Sequence, residues 1–392
     1  MVMVVVGDLS GSGGTERQFS DLHECLAGRA PGRVAFVTTR TGLAQLREAG
    51  RLRDASGVIT LALGSRPAMG RLAVIWMTAR LLAATLGKRY DVVHLCQPTP
   101  IYVPYAAILT RLPRFLRPLV TMTVTDCTVA PNLMSGRSPA DLYEKQVVNA
   151  HRLYFTWSRL DGVYSWYQAF VAAARQLQLL PRRAHVTAAR FCFTDVRRFQ
   201  PSPSKEKTVI FAGRLSAQKR PLLFIDAVAS LRLRHRALAE GWRFVMYGSG
   251  RLEAAVRQRL AEQKLEETIV LAHTPDMSPV FAKTRLFVST QEWENFTSLA
   301  MLEAMAAGNA VIAQDVGQTN EFVRHGENGF VVPDATADGF ADAIAEYLRH
   351  PEQHDRMARA SRSLATDVHN IDHFAEDITA FWESVIKTPP RA

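Results

Sequence analysis

Short apolar runs recur along the whole chain, bounded by Gly, Pro, Asp or Asn, and helix-length stretches separate most of them. In the first half the runs are VMVVVG (2–7), RVAFVTT (33–39), VITLAL (58–63), DVVHLC (91–96), LVTMTV (119–124), DGVYSW (161–166) and HVTAAR (185–190). The second half repeats the pattern with TVIFAG (208–213), WRFVMYG (242–248), TIVLAH (268–273), RLFVST (285–290), AVIAQD (310–315) and GFVVP (329–333). Such runs predict strands buried on both faces, and their alternation with helices predicts parallel sheets covered on each side. The expectation is therefore an α/β chain of two doubly wound domains. FQPSPSKEK (199–207), rich in Pro, Ser and charge, reads as the linker, placed at 201–207 between a domain at 1–200 and another at 208–370. Periodicity leaves open which domain receives the last segment, 371–392; it is expected to return to the first.

Length and composition fit this division, since 392 residues at 47% hydrophobic suffice for two ordinary domains. No apolar run is long enough to span a bilayer; the best, LAVIWMTARLLAATLG, carries Arg80. MVMVVVGD runs directly into a strand with no basic leader, so a cytoplasmic location is expected, extended by the charge pattern to the inner face of the plasma membrane. Cys25, Cys96, Cys127 and Cys192 stand far apart and form no CxxC pair, and no HExxH, DxD or P-loop stretch occurs. Metal-independent chemistry without a cofactor is the expectation. Net charge is +10, but residues 1–200 hold 25 Lys/Arg against 12 Asp/Glu, while residues 201–392 hold 22 against 25. A basic first half points to an anionic partner, such as a membrane surface or a phosphorylated lipid. Nucleic acid is not expected, because no interleaved aromatic and basic stripe is present.

In open parallel sheets ligands bind beyond the carboxyl ends of the strands, so the residues that follow strands carry the candidate chemistry. GDLSGSGGTERQF (7–19) brings Gly11, Gly13 and Gly14 before a helix, where backbone N–H groups can approach an anion. It fails the dinucleotide fingerprint, since Glu16 stands where a third glycine is needed, and the second strand ends in Thr38, Thr39 and Arg40 rather than an acid. AGRLSAQKRP (212–221) places Arg214 and Lys219 after the first strand of the second half, suited to a diphosphate. ENFTSLAMLEAMAAGN (294–309) predicts a helix with Ser298 or Thr297 at its start and Gly308 at its stop. Glu303 lies within that mostly apolar helix, where burying an unpaired carboxylate costs on the order of several kcal/mol. It needs a cation or hydroxyl donors, and the residues alone leave a salt bridge and a bound ribose equally open.

Together, the Gly13–Gly14 loop, YDVVHLCQP, GRLSAQK, LEAMAAGNAVIA and VGQTNEFVRHGENGFVV resemble glycosyltransferase family 4 over most of the chain. The resemblance implies the GT-B fold, two Rossmann-like domains facing across a cleft, and retaining, metal-independent transfer of a sugar from a nucleoside diphosphate sugar, UDP- or GDP-linked, to an acceptor hydroxyl. A glycan, a lipid-linked acceptor or a small molecule would supply that hydroxyl. It assigns the diphosphate to Gly13, Gly14, Arg214 and Lys219, and the ribose to Glu303; the N–H groups of Ser298 and Leu299, at a helix start, are placed to stabilise charge on the departing phosphate. The family's pattern of two Glu separated by seven residues puts Asn295 in the first slot, with Glu294 beside it; one of these two contacts the sugar. Its Gly-Gly-x-x-Glu turn reads Gly317, Gln318, Thr319, Asn320, Glu321, which carries Glu321 over as a donor contact. In TVTDCT, Thr125 or Asp126 replaces a His near the sugar, and Asp126 is assigned to the acceptor side. The alternatives are an epimerase or phosphorylase on the same scaffold, or a non-catalytic nucleotide-sugar-binding relative.

Overall fold

The computed structural model describes residues 1–5, 14–53, 56–61, 71–88, 90–96, 103–124, 159–166, 171, 184–188, 192–292 and 298–387. The chain forms two compact units: Met1–Cys192 with Ile371–Ala392, and Phe193–Asn370. In the first, β1 (Val2–Val5), β2 (Val34–Thr39), β3 (Val58–Leu61), β4 (Val92–Leu95), β5 (Leu119–Val124), β6 (Gly162–Ser165) and β7 (His185–Ala188) form one sheet in the order β3-β2-β1-β4-β5-β6-β7. Every pairing is parallel, with Val2 opposite both Val34 and Val92. In the second, β8 (Thr208–Ala212), β9 (Arg243–Tyr247), β10 (Ile269–Ala272), β11 (Leu286–Ser289), β12 (Ala310–Gln314) and β13 (Gly329–Val332) run β10-β9-β8-β11-β12-β13, again all parallel. Each of the thirteen apolar runs contains one strand, and both units have the doubly wound Rossmann-like topology.

Burial explains why these segments are strands. All residues of β2, β4, β5 and β11 are buried, so only runs apolar on both faces can occupy them. Around the first sheet stand α1 (Gly14–Arg29), α2 (Arg40–Glu48), α3 (Arg71–Leu86) and α4 (Val103–Leu109). Thr39 closes β2 and caps α2, its hydroxyl accepting from the Gly42 N–H at 2.9 Å. Several polar groups in this core are paired. His94, fully buried on β4, bonds the Thr121 and Thr123 hydroxyls of β5 at 2.9 and 2.7 Å, and burial holds its imidazole neutral, with a pKa down to about 3. Arg117 is buried against Asp161 at 2.6 Å, and the same carboxylate accepts from the Val120 N–H, fixing the entry to β5.

The second unit carries α5 (Pro221–Arg234), α6 (Arg236–Ala239), α7 (Glu253–Glu262), α8 (Ser278–Lys283), α9 (Leu299–Ala306), α10 (Ala337–Arg349) and α11 (His354–Asp367). Its sheet core joins Phe211, Phe244, Met246, Val288 and Ile312 to Phe224 and Val228 of α5 and Phe340 and Ile344 of α10. Residues 201–207 do not form a free connection. The Ser202 and Glu206 N–H groups donate to the carbonyls of Ala282 and Lys283, and the division of the chain falls earlier, between Cys192 and Phe193. Composition suggested a linker because Pro, Ser and charge mark exposed chain, yet this segment finds backbone partners at the end of α8.

The last helix, α12 (Ile371–Lys387), lies in the first unit. Ile371, Phe374, Ala375, Ile378, Phe381, Trp382 and Val385 recur at three- and four-residue spacing and are all buried. The Tyr164 hydroxyl of β6 donates to Asp377, and Trp382 meets the His94 ring edge-on at 5.4 Å. Gly162 makes the close approach possible: a Cβ there would lie 2.9 Å from Val385 Cγ2 and 3.0 Å from Phe381 Cζ. Gly162→Ala is therefore expected to destabilise the first unit by roughly 1–3 kcal/mol through overpacking, read as a lower urea midpoint at unchanged slope. An unchanged midpoint would show that α12 is not seated on β6.

Candidate functional site

In the second sheet the chain passes from β8 outward to β9 on one side, and β11 flanks β8 on the other. The loops leaving β8 and β11 thus diverge at the point where strand order reverses, which is where doubly wound sheets bind ligands. Residues 213–220 follow β8, and residues 290–298 follow β11.

The loop after β8 is held by backbone contact on one side and hydroxyl donors on the other. The Gly213 N–H donates to the Tyr247 carbonyl at 3.0 Å, and the Leu215 N–H to the Ser249 carbonyl at 2.9 Å. This approach requires glycine opposite: a Cβ on Gly248 would sit 2.0 Å from the Gly213 oxygen, and one on Gly250 would sit 2.4 Å from the Leu215 oxygen. The short 3-10 turn Ala217–Lys219 follows, and Arg220 then takes a left-handed conformation with φ of 47° before Pro221 opens α5. Across the reversal point, the buried Thr290 hydroxyl donates to the Lys219 and Arg220 carbonyls at 2.8 and 3.0 Å, and the Glu292 N–H donates to the Gln218 carbonyl. The two loops are stitched together, so the side chains of 214–219 are presented by fixed backbone.

Arg214 is exposed on this turn, whereas Lys219 is half-buried and its ammonium donates to the amide oxygen of buried Gln291. Burial, reinforced by the nearby Arg214 cation, pushes the Lys219 pKa down to about 8. Two cations are thus held near one another, and the Lys219 ammonium faces a neutral amide, which favours an incoming anion. Gln291 was not singled out by the sequence reading; its position just past β11 is the signal that could have found it. Arg220 instead spans to the Gln314 amide oxygen and the Ala335 carbonyl, bracing the turn.

α9 follows the β11 loop. It is buried almost throughout, Glu303 included at 3% exposure. Ser298 and Leu299 begin the helix and are buried, and the Ser298 hydroxyl makes no capping bond. Two cations hold the opposite end. Lys205 Nζ donates to the Thr284 and Ala307 carbonyls at 2.7 and 2.8 Å, and Arg362 donates to the Ala306 carbonyl and, at 2.6 Å, to that of Phe199. They satisfy helix-end carbonyls and complement the negative end of the dipole. Gly308 then turns the chain with φ of 68°, and the Asn309 amide donates to the Phe281 and Ala304 carbonyls. Neither anchoring cation was visible in the sequence pattern, because each lies far along the chain from α9.

The remaining assignments lie elsewhere along the chain. Glu321 is exposed at the end of a short 3-10 turn, Thr319–Glu321, after β12, and Thr319 closes that turn through bonds to the Gln314 and Val316 carbonyls. Gly14 is the exposed first residue of α1 in the first unit. Gly13, Thr125, Asp126, Glu294, Asn295 and Thr297 lie outside the described residues. Among the described residues no cluster of His, Cys, Asp or Glu suits a metal ion.

Comparison with known proteins follows the same division. Residues 193–364, nearly the whole second unit, match the family model described as glycosyl transferases group 1. The chain is similar to the lipopolysaccharide core biosynthesis mannosyltransferase LpsB of Rhizobium meliloti, at 30% identity over 220 residues. That match covers 49% of this chain and 59% of the relative, so the chain spans less than two thirds of its length. Solved structures match nearly the whole chain: sucrose-phosphate synthase from Thermosynechococcus elongatus with a TM-score of 0.76 over 99% of this chain and 100% of that one, and Anabaena HepE in complex with UDP and glucose with 0.72 over 97% and 99%. Each is 17% identical. The fold is GT-B: two Rossmann-like α/β domains, as in these structures.

Lys205 gives a pH signature for the α9 anchor. Burial and the Arg285 charge bring its pKa from 10.5 to about 7, so between these values the unfolded chain holds a proton that the folded chain has lost. Stability contributed through this group therefore rises with pH across that window. Lys205→Met should cost roughly 1–3 kcal/mol by stranding the Thr284 and Ala307 carbonyls, and the cost should be larger at pH 9 than at pH 6.5 in urea titrations. A cost independent of pH would refute this account of the anchor.

Proposed function

We propose that the protein is a retaining, metal-independent glycosyltransferase that moves a sugar from a nucleoside diphosphate sugar to an acceptor hydroxyl. The observation that carries the reading is the Arg214–Lys219 pair on a rigid turn at the reversal point of the second sheet, with Lys219 already depressed by burial and by its neighbour. Support comes from the group 1 match over that unit, from the mannosyltransferase relative, and from the UDP-bound structures of similar fold. The family 4 resemblance of the sequence supplies the retaining stereochemistry and the nucleotide-sugar donor.

In this mechanism Arg214 and Lys219 take the diphosphate, the Ser298 and Leu299 N–H groups face it at the start of α9, and Glu303 accepts from the ribose hydroxyls. The bond between the anomeric carbon and the leaving phosphate oxygen breaks, and its electron pair stays on that oxygen. The acceptor oxygen bonds to the same face of the anomeric carbon, and its proton passes to the departing phosphate. Charge growing on the phosphate meets donors already in place, the arrangement by which fixed cations and amides lower a barrier. Asn295 or Glu294 is assigned to the donor sugar, Asp126 to the acceptor and Glu321 to the donor. The acceptor is a glycan, a lipid-linked sugar or a small molecule, and the location is cytoplasmic.

A thermal-shift panel of UDP, GDP and their sugars tests donor binding. At a ligand concentration of about 100 Kd the folded state should gain about 2.7 kcal/mol, and no shift with any nucleotide would sink the reading. With the donor so identified, Lys219→Ala and Arg214→Ala should each lower turnover about 10²- to 10³-fold, with melting temperature in the absence of ligand little changed. Near wild-type rates would remove these residues from the mechanism. Nucleotide affinity should also weaken as pH rises through about 8, where the free ammonium of Lys219 loses its proton. Binding at pH 8.5 should take up a proton, so the observed heat should vary with the ionisation enthalpy of the buffer; equal observed heats in all buffers would contradict a protonated Lys219 in the complex.

A further inference from the structure

Lys219 is tied to the loop after β11 through its backbone and through its side chain. The Thr290 hydroxyl holds its carbonyl, and its aliphatic stem passes Gly213, where an added Cβ would meet Lys219 Cγ and Cδ at 3.9 Å. Beyond Gly213, among the described residues, the ammonium donates a single side-chain hydrogen bond, to the amide oxygen of Gln291. An ammonium carries three donors, so two remain for a ligand. Gln291 is 2% exposed and directly follows Thr290, so the acceptor is set by the same strand end that sets the backbone of the turn. The ordinary partner of a cation withdrawn from water is a carboxylate, which orients it and cancels its charge together. A neutral amide does only the first.

We infer that Gln291 is a positioning residue: it holds the Lys219 ammonium in place without ligand and, being uncharged, yields that charge undiminished to an incoming diphosphate. The inference rests on the reading of this turn as the diphosphate site. A carboxylate at 291 would neutralise Lys219 and repel the phosphates, whereas an apolar side chain would leave the ammonium without its acceptor. Few other charges bear on the group. Arg214 is the cation that acts on it, and no acid of the described residues does. Arg220 turns away to the Gln314 amide and the Ala335 carbonyl, and Glu292 is exposed, with its N–H donating to the Gln218 carbonyl. The side chain at 291 is therefore the position from which the protonation of Lys219 can be moved in either direction.

Substitutions of opposite electrostatic sense test this. Gln291→Glu should raise the pH at which Lys219 loses its proton by about one unit or more, and Gln291→Met should lower it by a similar step. The titration is read on the ligand-free protein after reductive methylation with isotope-labelled formaldehyde, the Lys219 signal being the one missing from Lys219→Arg. In calorimetric titrations with UDP and with GDP, Gln291→Glu should weaken binding about tenfold at pH 6.5 and move the loss of affinity to higher pH; Gln291→Met should move it to lower pH. Gln291→Asn, which keeps the amide but withdraws it by one methylene, is the milder change and should follow Gln291→Met. Gln263→Glu, adding the same charge at an exposed position after α7, should alter neither profile. Melting temperature controls the fold, and a purely structural Gln291 would lower it without moving either pH. Shifts in one direction for both Glu and Met, or no shift in either, would overturn the role of Gln291. A wild-type chain that binds neither nucleotide would instead overturn the diphosphate reading, and the ligand-free titration would still decide whether residue 291 governs the ammonium.

Discussion

Two positive charges held close together on one turn are the constraint on which the second unit is organised. Burial of the Lys219 ammonium lowers its pKa, and the nearby Arg214 cation lowers it further. A flexible turn would relieve the repulsion by letting the side chains separate into water. This turn cannot, because the Gly213 and Leu215 backbone lies against Gly248 and Gly250, and Thr290 grips the Lys219 and Arg220 carbonyls from the other side. The repulsion therefore persists until an anion arrives, and the energy that a mobile pair would spend on ordering has already been spent in folding.

The same logic extends along α9. Its first residues lie beyond β11 near the reversal point, while its last carbonyls are held by Lys205 and Arg362. Burial lowers the pKa of both cations, and the Arg285 charge adds to the effect at Lys205. Fixing the far end of a helix fixes the near end, since a helix of eight residues moves as a rod. Glu303 is thereby placed by contacts made several residues away from it, and its burial at 3% follows from packing around the whole helix.

The strands were legible because burial on both faces demands unbroken apolar runs, and that demand is written locally. The position of Arg214 and Lys219 just past β8 was legible for a related reason: topology assigns candidate chemistry to strand ends, and the strand ends could be read. Gln291, Lys205 and Arg362 were not, because their roles depend on which distant carbonyl or ammonium each reaches, and no periodicity encodes that. Residues 201–207 show the opposite failure. Pro, Ser and charge report exposure, but the segment's N–H groups find carbonyls on α8, and composition carries no information about backbone pairing. Glu303 remained undecided in the residues alone for the same reason, since burial creates a need for donors without naming them.

The uneven charge of the two halves takes on a sharper meaning when internal pairs are removed from it. Arg51 and Arg117 are buried against Asp21 and Asp161, so they use up acids of the first half that would otherwise offset surface cations. On α3 the Arg80 guanidinium lies over the exposed Trp76 ring, and Phe115 and Leu116 of the 114–116 turn are exposed. The second half, near neutral in total, holds Arg214 and Lys219 near one another on the turn after β8. A field spread over a surface attracts an extended anionic partner and falls away with salt, whereas two cations on fixed backbone discriminate a compact one by geometry. The chain thus uses positive charge in two physically different ways, and the difference lies in how firmly each set of cations is held.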